Sequence, residues 1–133
     1  MTATYPLSIV AYKRGTQNDE IRPYHWQFHL ATGDIRGVFH QLYGEPGNFW
    51  YEGAEKMILF ETEGGKVTIG AVPADALDEL ERILEQIPVV LDKNVKWNCQ
   101  SWCLDALEPL RAKGWIADGI TETTIREALP ETA

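Results

Sequence analysis

Residues 24–30, Tyr24-His25-Trp26-Gln27-Phe28-His29-Leu30, alternate between polar and apolar side chains. Successive side chains of a β-strand point to opposite faces of the sheet, so the bulky apolar residues share one face while His25 and His29 share the other. The pattern therefore predicts a strand over residues 22–30 with one face in the core.

The rest of the first half is also typical of strands, because runs of β-forming residues alternate with polar or glycine-rich turns. The predicted strands cover residues 5–13, 22–30, 37–43, 49–51, 56–62 and 66–72. His40 lies on the strand that directly follows residues 22–30, and residues 14–19 are expected to form a polar loop. Together these segments predict an antiparallel sheet of about five or six strands.

The second half has helical periodicity. The predicted helices cover residues 73–86, 98–114 and 121–129. Pro73 suits the first position of a helix, whereas Pro109 is expected to kink or interrupt the second helix. Asp118 and Thr121 are both candidate caps of the last helix. The sequence thus predicts a single α+β domain over residues 1–133, with an antiparallel sheet packed by helices.

Length, charge and composition exclude several classes of protein. The 133 residues suffice for one domain with a real core, and 44% of them are hydrophobic. A formal net charge of −8 disfavours nucleic acids and anionic lipid surfaces as partners. No apolar run approaches the roughly 18 residues of a membrane span, and the first residues lack the pattern of a signal peptide. We therefore expect a cytoplasmic protein without a membrane anchor.

The two cysteines, Cys99 and Cys103, lie four residues apart in one predicted helix. A disulfide within the helix would need awkward geometry, so reduced thiols are expected. The histidines are far from Cys99 in sequence, and no spacing typical of zinc ligands occurs. The sequence therefore predicts no metal site and no cofactor.

Cys99 lies at the start of its helix, directly after Asn98, whose side chain can cap the helix. The field of the helix dipole favours a thiolate at this end, and the thiolate is the reactive form of cysteine. Simple burial is the alternative, because Cys99 shares a helix face with Trp102 and Cys103. Core packing is the favoured interpretation for Cys103, which lacks the position at the helix start.

A thiol nucleophile needs an imidazole within hydrogen-bond reach and a second polar group that orients the imidazole. His25 and His40 lie on successive predicted strands and can both face the start of the Cys99 helix. Each is also compatible with an ordinary strand residue in solvent. His29 shares the strand face with His25 but lies roughly 7 Å further along. The pattern alone does not choose between His25 and His29.

Three short motifs carry a family resemblance. They are Tyr24-His25-Trp26-Gln27-Phe28-His29-Leu30, Gly37-Val38-Phe39-His40 and Asn98-Cys99-Gln100-Ser101-Trp102-Cys103. In this order they resemble the lecithin:retinol acyltransferase-like proteins, which include the H-rev107-type phospholipase/acyltransferases. Those proteins form a circularly permuted branch of the NlpC/P60 superfamily, which has a papain-like fold. The three motifs make up 17 of the 133 residues, and Gln100-Ser101-Trp102 replaces the Glu-His-Phe of the family motif.

The resemblance implies a catalytic triad. Cys99 would be the nucleophile, His25 the general base and His40 the group that orients His25. The backbone N–H of Cys99 would help to hold the oxyanion, with Tyr24 as a candidate second donor and Asn98 as cap or site organiser. The implied function is a cysteine-dependent acyl-transfer enzyme that acts on an ester, thioester or amide of small or modest size.

Three questions about the function remain open at this point. Hydrolase and acyltransferase differ only in the nucleophile that resolves the acyl-enzyme, so the same residues fit both. A thiol peptidase or isopeptidase is the rival enzyme, because the superfamily includes both activities. A binding module that retains the fold without the chemistry is the rival from another class. A cleft wide enough for a peptide would favour the peptidase, and a closed apolar tunnel would favour the acyl-transfer enzyme.

Overall fold

A computed structural model describes residues 3–14, 16–17, 20–21, 23–59 and 64–131. The strands are β1 (Thr4–Tyr12), β2 (Thr16–Gln17), β3 (Glu20–Ile21), β4 (His25–Ala31), β5 (Arg36–Glu45), β6 (Asn48–Ile58) and β7 (Lys66–Pro73). Five of them form one antiparallel sheet in the order β6-β5-β4-β1-β7, and β2 pairs with β3. The predicted antiparallel sheet is therefore confirmed.

Among the described residues, four helices follow the sheet: α1 (Leu77–Glu85), α2 (Cys99–Asp105), α3 (Leu107–Ala112) and α4 (Glu122–Ala128). Alternation along β4 buries Trp26, Phe28 and Leu30 completely. α2 packs on this face, and the Phe28 ring meets the Trp102 ring edge-on at a centroid distance of 5.5 Å. Hydrophobic burial between α2 and β4 therefore fixes the start of α2 beside the start of β4.

The helix α1 packs against both edge strands, β6 and β7. Its Leu80 and Leu84 are fully buried, one turn apart, whereas Asp78 and Glu85 face solvent. This is the amphipathic pattern that the sequence predicts. The α+β class is thus confirmed, with helices that cover the sheet.

The predicted strands at 49–51 and 56–62 form a single strand, β6, as far as Ile58. Residues 60–63 lie outside the described residues. A register shift opposite Phe39–Gln41 lets β6 continue through Gly53 and Ala54, and Ala54 has a φ of 29°. The interruption that the sequence indicates is therefore a β-bulge within one strand.

The prediction that Pro73 opens a helix is wrong. Pro73 is the last residue of β7, opposite Thr4 of β1, and α1 begins at Leu77. Because β7 is an edge strand, a proline at its end removes no ladder hydrogen bond from the interior of the sheet. The turn that follows is closed by a hydrogen bond from Ala76 N–H to the Pro73 carbonyl.

The predicted second helix is interrupted as expected, but the break lies at Ala106 between α2 and α3. Pro109 is the third residue of α3. A proline is tolerated in a first helical turn, where its missing N–H has no intrahelical acceptor. Thr121 caps α4 by accepting a hydrogen bond from Thr124 N–H, so of the two candidate caps the structure selects Thr121.

The polar loop expected at residues 14–19 contains β2, which pairs with β3, and three of the loop residues lie outside the described part of the chain. None of the helices in the described part of the chain is both long and apolar enough to cross a bilayer.

Candidate active site

The start of α2 is held in place by its cap. The Asn98 side-chain oxygen accepts hydrogen bonds from the N–H groups of Gln100 and Ser101, at 3.0 and 3.4 Å. The Ser101 hydroxyl in turn accepts from Asn98 N–H, which completes a capping box. The capping role predicted for Asn98 is therefore confirmed, and Cys99 is the first residue of the helix.

The Cys99 thiol is buried beside the start of β4, and the residue is only 2% exposed. Backbone N–H groups of Trp26, Gln100 and Cys99 itself lie near the sulfur, and their positive ends favour the thiolate. Burial is the larger effect, so the pKa of Cys99 is raised above its ordinary value. The field at the helix start, which favours a thiolate, is therefore outweighed by burial of the sulfur. At neutral pH Cys99 is a protonated thiol.

Arg14 connects this thiol to an imidazole. Its Nη2 lies 2.7 Å from His25 Nδ1 and 3.9 Å from Cys99 Sγ. A guanidinium can only donate hydrogen bonds, so His25 Nδ1 is the acceptor. The positive charge of Arg14 also opposes the effect of burial on the pKa of Cys99. One guanidinium nitrogen thus faces both groups of the predicted nucleophile–base pair.

The other nitrogen of the His25 ring is held by two amides. His25 Nε2 lies 2.8 Å from Gln41 Oε1 and 3.1 Å from Gln27 Oε1. Because Nδ1 accepts from Arg14, the ring proton of the neutral imidazole is on Nε2 and is donated to these oxygens. The neutral ring is therefore fixed in the tautomer protonated on Nε2, and the Nδ1 lone pair faces Arg14, which also contacts Cys99 Sγ.

Gln27 is itself oriented by His29, two residues further along the same face of β4. Its Nε2 lies 2.9 Å from His29 Nε2, which also lies 2.9 Å from the Tyr12 hydroxyl. Burial lowers the pKa of His29 to about 4, with a smaller contribution from Lys66, so His29 is neutral. An amide N–H of Gln27 then points at His29, and its oxygen points at His25. Of these two histidines, His25 contacts Arg14 Nη2, which also lies 3.9 Å from Cys99 Sγ.

His40 lies on the opposite side of the sheet from the His25 ring. It pairs with Phe28 in the register of β4 and β5, so the two side chains share the face that packs on α2. Its Nδ1 lies 2.7 Å from the Tyr51 hydroxyl, and the two rings stack with an interplanar angle of 6°. The orienting contact expected from His40 is made by Gln41, the next residue along β5, because adjacent residues of a strand face opposite ways.

The His40–Tyr51 pair depends on the bulge in β6. A Cβ at Gly53 would overlap both the Tyr51 hydroxyl and His40 Nδ1. Burial lowers the pKa of His40 to about 4, and it also raises the pKa of Tyr51, with smaller contributions from Glu81 and Glu85. Both groups are therefore neutral at pH 7, as befits a buried hydrogen-bonded pair.

We expect His40 to make the protein less stable as the pH falls from about 6.5 to about 4. Its folded pKa of about 4 lies below the unfolded value of about 6.5, so the unfolded state binds more protons in this window. Between pH 7 and pH 5 the free energy of unfolding should fall by about 2 kcal/mol on account of His40. Urea unfolding at both pH values measures the change. His40→Gln should remove about that much of the wild-type difference, and an unchanged difference would contradict the prediction.

Tyr24 is positioned by its main chain. Its carbonyl accepts a hydrogen bond from Gln100 Nε2 at 2.8 Å, and its N–H donates to the Glu131 carbonyl at 2.9 Å. Gln100 Nε2 also reaches the Glu131 carbonyl, and the Trp26 indole N–H donates to the Pro130 carbonyl. The C-terminal segment therefore ties the starts of β4 and α2 together. The Tyr24 side chain is half-buried against the core.

Cys103 and Trp102 are completely buried, and burial raises the pKa of Cys103 well above its ordinary value. The core interpretation predicted for this part of the helix face is confirmed. Both cysteines are free thiols. Among the described residues, no three His, Cys, Asp or Glu side chains come together as a metal site.

Two surface cavities lie away from Cys99. One, of about 470 Å³, is lined by β7 and by residues 114–117. The other, of about 580 Å³, lies at the open end of the β5–β6 hairpin, away from its turn, and its lining includes Arg36 and Met57. Neither is lined by Cys99, Arg14 or His25.

The sequence did not single out Arg14, Gln27, Gln41 or Gln100. The contact of Gln27 with His25 and His29 could have been predicted, because Gln27 lies between them on the same face of a clearly alternating strand. Gln100 lies inside the motif that contains Cys99. Arg14 is 85 residues from Cys99 in a segment without periodicity, so only the folded chain brings it to the site.

Comparison with family models gave one match, over residues 8–117, to DUF6540, a family of unknown function. The chain belongs to the DUF6540 family. The matched range contains the whole thiol–imidazole arrangement and ends before the C-terminal segment that bonds to Tyr24 and Gln100. Neither a comparison with curated proteins nor one with solved structures gave a match. For this DUF6540 chain, the implied kinship with the lecithin:retinol acyltransferase-like proteins stays a prediction.

Proposed function

We propose that this DUF6540 chain is a cysteine-dependent acyl-transfer enzyme, a hydrolase or an acyltransferase, that works through an acyl-enzyme on Cys99. The observation that carries the proposal is the shared contact of Arg14 Nη2 with His25 Nδ1 and Cys99 Sγ. It means that the lone pair of a neutral imidazole and a thiol at a helix start face the same small space. A nucleophile and its base need this relation.

The third member of the proposed triad is Gln41. A cysteine–histidine pair whose imidazole is oriented by a side-chain amide is a known arrangement of thiol enzymes. The His25 ring meets this requirement with Nδ1 toward the thiol side and Nε2 on Gln41 Oε1. We propose that the domain has a circularly permuted papain-like arrangement, in which the histidine strand precedes the cysteine helix.

In the proposed reaction, His25 Nδ1 takes the proton of the Cys99 thiol. The sulfur attacks the carbonyl carbon of an ester, thioester or amide, and the carbonyl π electrons move to the oxygen. The backbone N–H of Cys99, which is not used by the Asn98 cap, holds this oxyanion. Collapse of the intermediate expels the leaving group, which takes the proton from His25. Water or another nucleophile then releases the acyl group from Cys99.

Gln41 and Gln27 support both states of the base. In the neutral ring Nε2–H donates to their oxygens, and in the imidazolium the same contacts stabilise the charge. The amides cannot take the proton from Nε2, so proton exchange is confined to Nδ1 on the thiol side. In the proposed reaction, Nδ1 is therefore the single site at which the base gains and loses its proton.

The proposal is tested by acylation of Cys99 with small activated esters and thioesters, followed by intact-mass measurement. We expect one acyl group per chain in the wild type and in Cys103→Ser, and none in Cys99→Ser. Peptide mapping should place the adduct on Cys99. The lifetime of the adduct in water, with and without added amines or alcohols, separates a hydrolase from an acyltransferase.

Wild-type protein that stays unmodified under these conditions would contradict the enzyme and favour the binding module. Amide-linked peptides in the same assay address the peptidase alternative. Adducts from peptides but not from small esters would favour a thiol peptidase or isopeptidase.

A further inference from the structure

Arg14 covers the two groups that the proposed chemistry needs. Its side chain is half-buried, and Nη2 contacts His25 Nδ1 and Cys99 Sγ. A neutral imidazole has one lone pair in its ring plane, and here that lone pair accepts from Arg14. His25 therefore cannot take the thiol proton until the guanidinium moves.

In the described ranges the ion pairs are formed by Arg111, Lys113 and Arg126, and the charge of Arg14 has no partner of opposite sign there. Its contacts there are a neutral ring and a protonated thiol, both made through Nη2. A guanidinium presents five N–H donors in a planar fork that matches a carboxylate. Within the described part of the chain, Nε and Nη1 are left for a ligand.

We propose that Arg14 binds a carboxylate on the acyl donor, next to the carbonyl that Cys99 attacks, and that this contact frees His25 Nδ1. The inference rests on the proposed function and adds the substrate class, a carboxylate-bearing acyl donor. A single guanidinium matches a monoanion better than a phosphate dianion, which attracts clusters of cations. Binding of the substrate and exposure of the base are then one event.

The first test compares two alkylating agents of nearly equal size, iodoacetate and iodoacetamide, which differ in charge. We expect the ratio of the Cys99 alkylation rates, iodoacetate over iodoacetamide, to be about tenfold higher in the wild type than in Arg14→Gln. Lys13→Gln is the matched control, because it removes one exposed positive charge from the neighbouring position. Its ratio should stay near the wild-type value.

Equal ratios in the wild type and Arg14→Gln would overturn the inference, and so would an equal loss in Lys13→Gln. Absence of alkylation by either reagent in the folded wild type would overturn it as well. Peptide mapping assigns each adduct, since Cys103 is also present.

The second test uses a succinyl and a butyryl thioester, which have acyl chains of the same length with and without a carboxylate. We expect the wild type to form the Cys99 adduct from the succinyl donor about tenfold faster, and Arg14→Gln to lose this preference. Equal rates in the wild type would overturn the carboxylate inference and leave the enzyme intact. No adduct from either donor, with the iodoacetate preference retained, would contradict the enzyme and leave the anion site intact.

Discussion

Replacement of His25 by alanine is expected to slow the acylation of Cys99 at pH 7 by a factor of about 10² to 10⁴, the range of general base catalysis. The raised pKa of Cys99 makes the effect large, because almost no thiolate exists at this pH without a base. The protein is incubated with an activated thioester, the reaction is stopped at set times, and the acylated fraction is measured by intact-mass spectrometry.

The pH dependence of the same rate supplies a second readout. In His25→Ala the acylation rate should rise steadily with pH, because only the thiolate formed by hydroxide then reacts. The wild-type rate should instead level off once the imidazole is neutral. Parallel pH profiles in the two proteins would contradict the role of His25, even if the rates differ in size.

Variants of Gln41 and His40 test which residue orients His25, since the proposed triad contains Gln41 and the triad implied by the family resemblance contains His40. Gln41→Ala should slow acylation by about tenfold or more, because His25 Nε2 loses its nearest acceptor. His40→Gln should change the rate by less than about threefold in protein that remains folded, since His40 bonds to Tyr51 on the other face. A large loss in His40→Gln with an unchanged Gln41→Ala would restore the order His25, His40, Cys99 as the triad.

His40 was expected to orient His25, but the neighbouring Gln41 makes that contact, which shows the limit of a prediction from strand alternation. Alternation predicts which residues share a face within one strand, and it held for β4, where Phe28 is buried and Gln27 bonds to His25. It does not predict the register between strands. Pairing of His40 with Phe28 puts His40 toward α2 and leaves Gln41 for His25. A shift of one residue in register would have reversed these roles.

The elements with strong local signals were predictable, and those shaped by neighbours were not. Residues 37–43 and 66–72 lie within observed strands because β-forming runs there are bounded by turn residues. The prediction that Pro73 opens a helix was wrong because the fixed φ of proline suits a strand end as well as a helix start. The choice is made by pairing with β1, which local sequence does not report.

The state of the Cys99 thiol was unpredictable for a related reason. Position at a helix start favours the thiolate by a local field, and the sequence shows this position directly. Burial depends on what covers the site, which here includes Arg14 from a distant segment. The pKa follows the larger of two opposing effects, and here burial exceeds the field of the helix start.

Stability should be most sensitive where the chain after α3 returns to the sheet, at Gly70 of β7. Ala71 N–H donates to the Trp115 carbonyl at 3.0 Å, and Ala117 N–H donates to the Ile69 carbonyl at 2.8 Å. These bonds bracket a bridge between Gly70 and Ile116. A Cβ at Gly70 would overlap the Trp115 carbonyl oxygen, and main-chain atoms cannot step aside as a flexible side chain does.

Gly70→Ala is therefore expected to lower the free energy of unfolding by about 3 kcal/mol, at the upper end of overpacking effects, and the melting temperature by about 10 °C. Gly33→Ala is the matched control, because its added Cβ would lie 3.8 Å from Arg36 Cβ, an ordinary contact. That variant should change stability by less than about 1 kcal/mol. Urea and thermal unfolding measure both. Equal stabilities of the two variants would contradict the prediction. They would show that residues 115–117 can separate from β7 without loss of stability, and that this contact contributes little to holding the second half of the chain against the sheet.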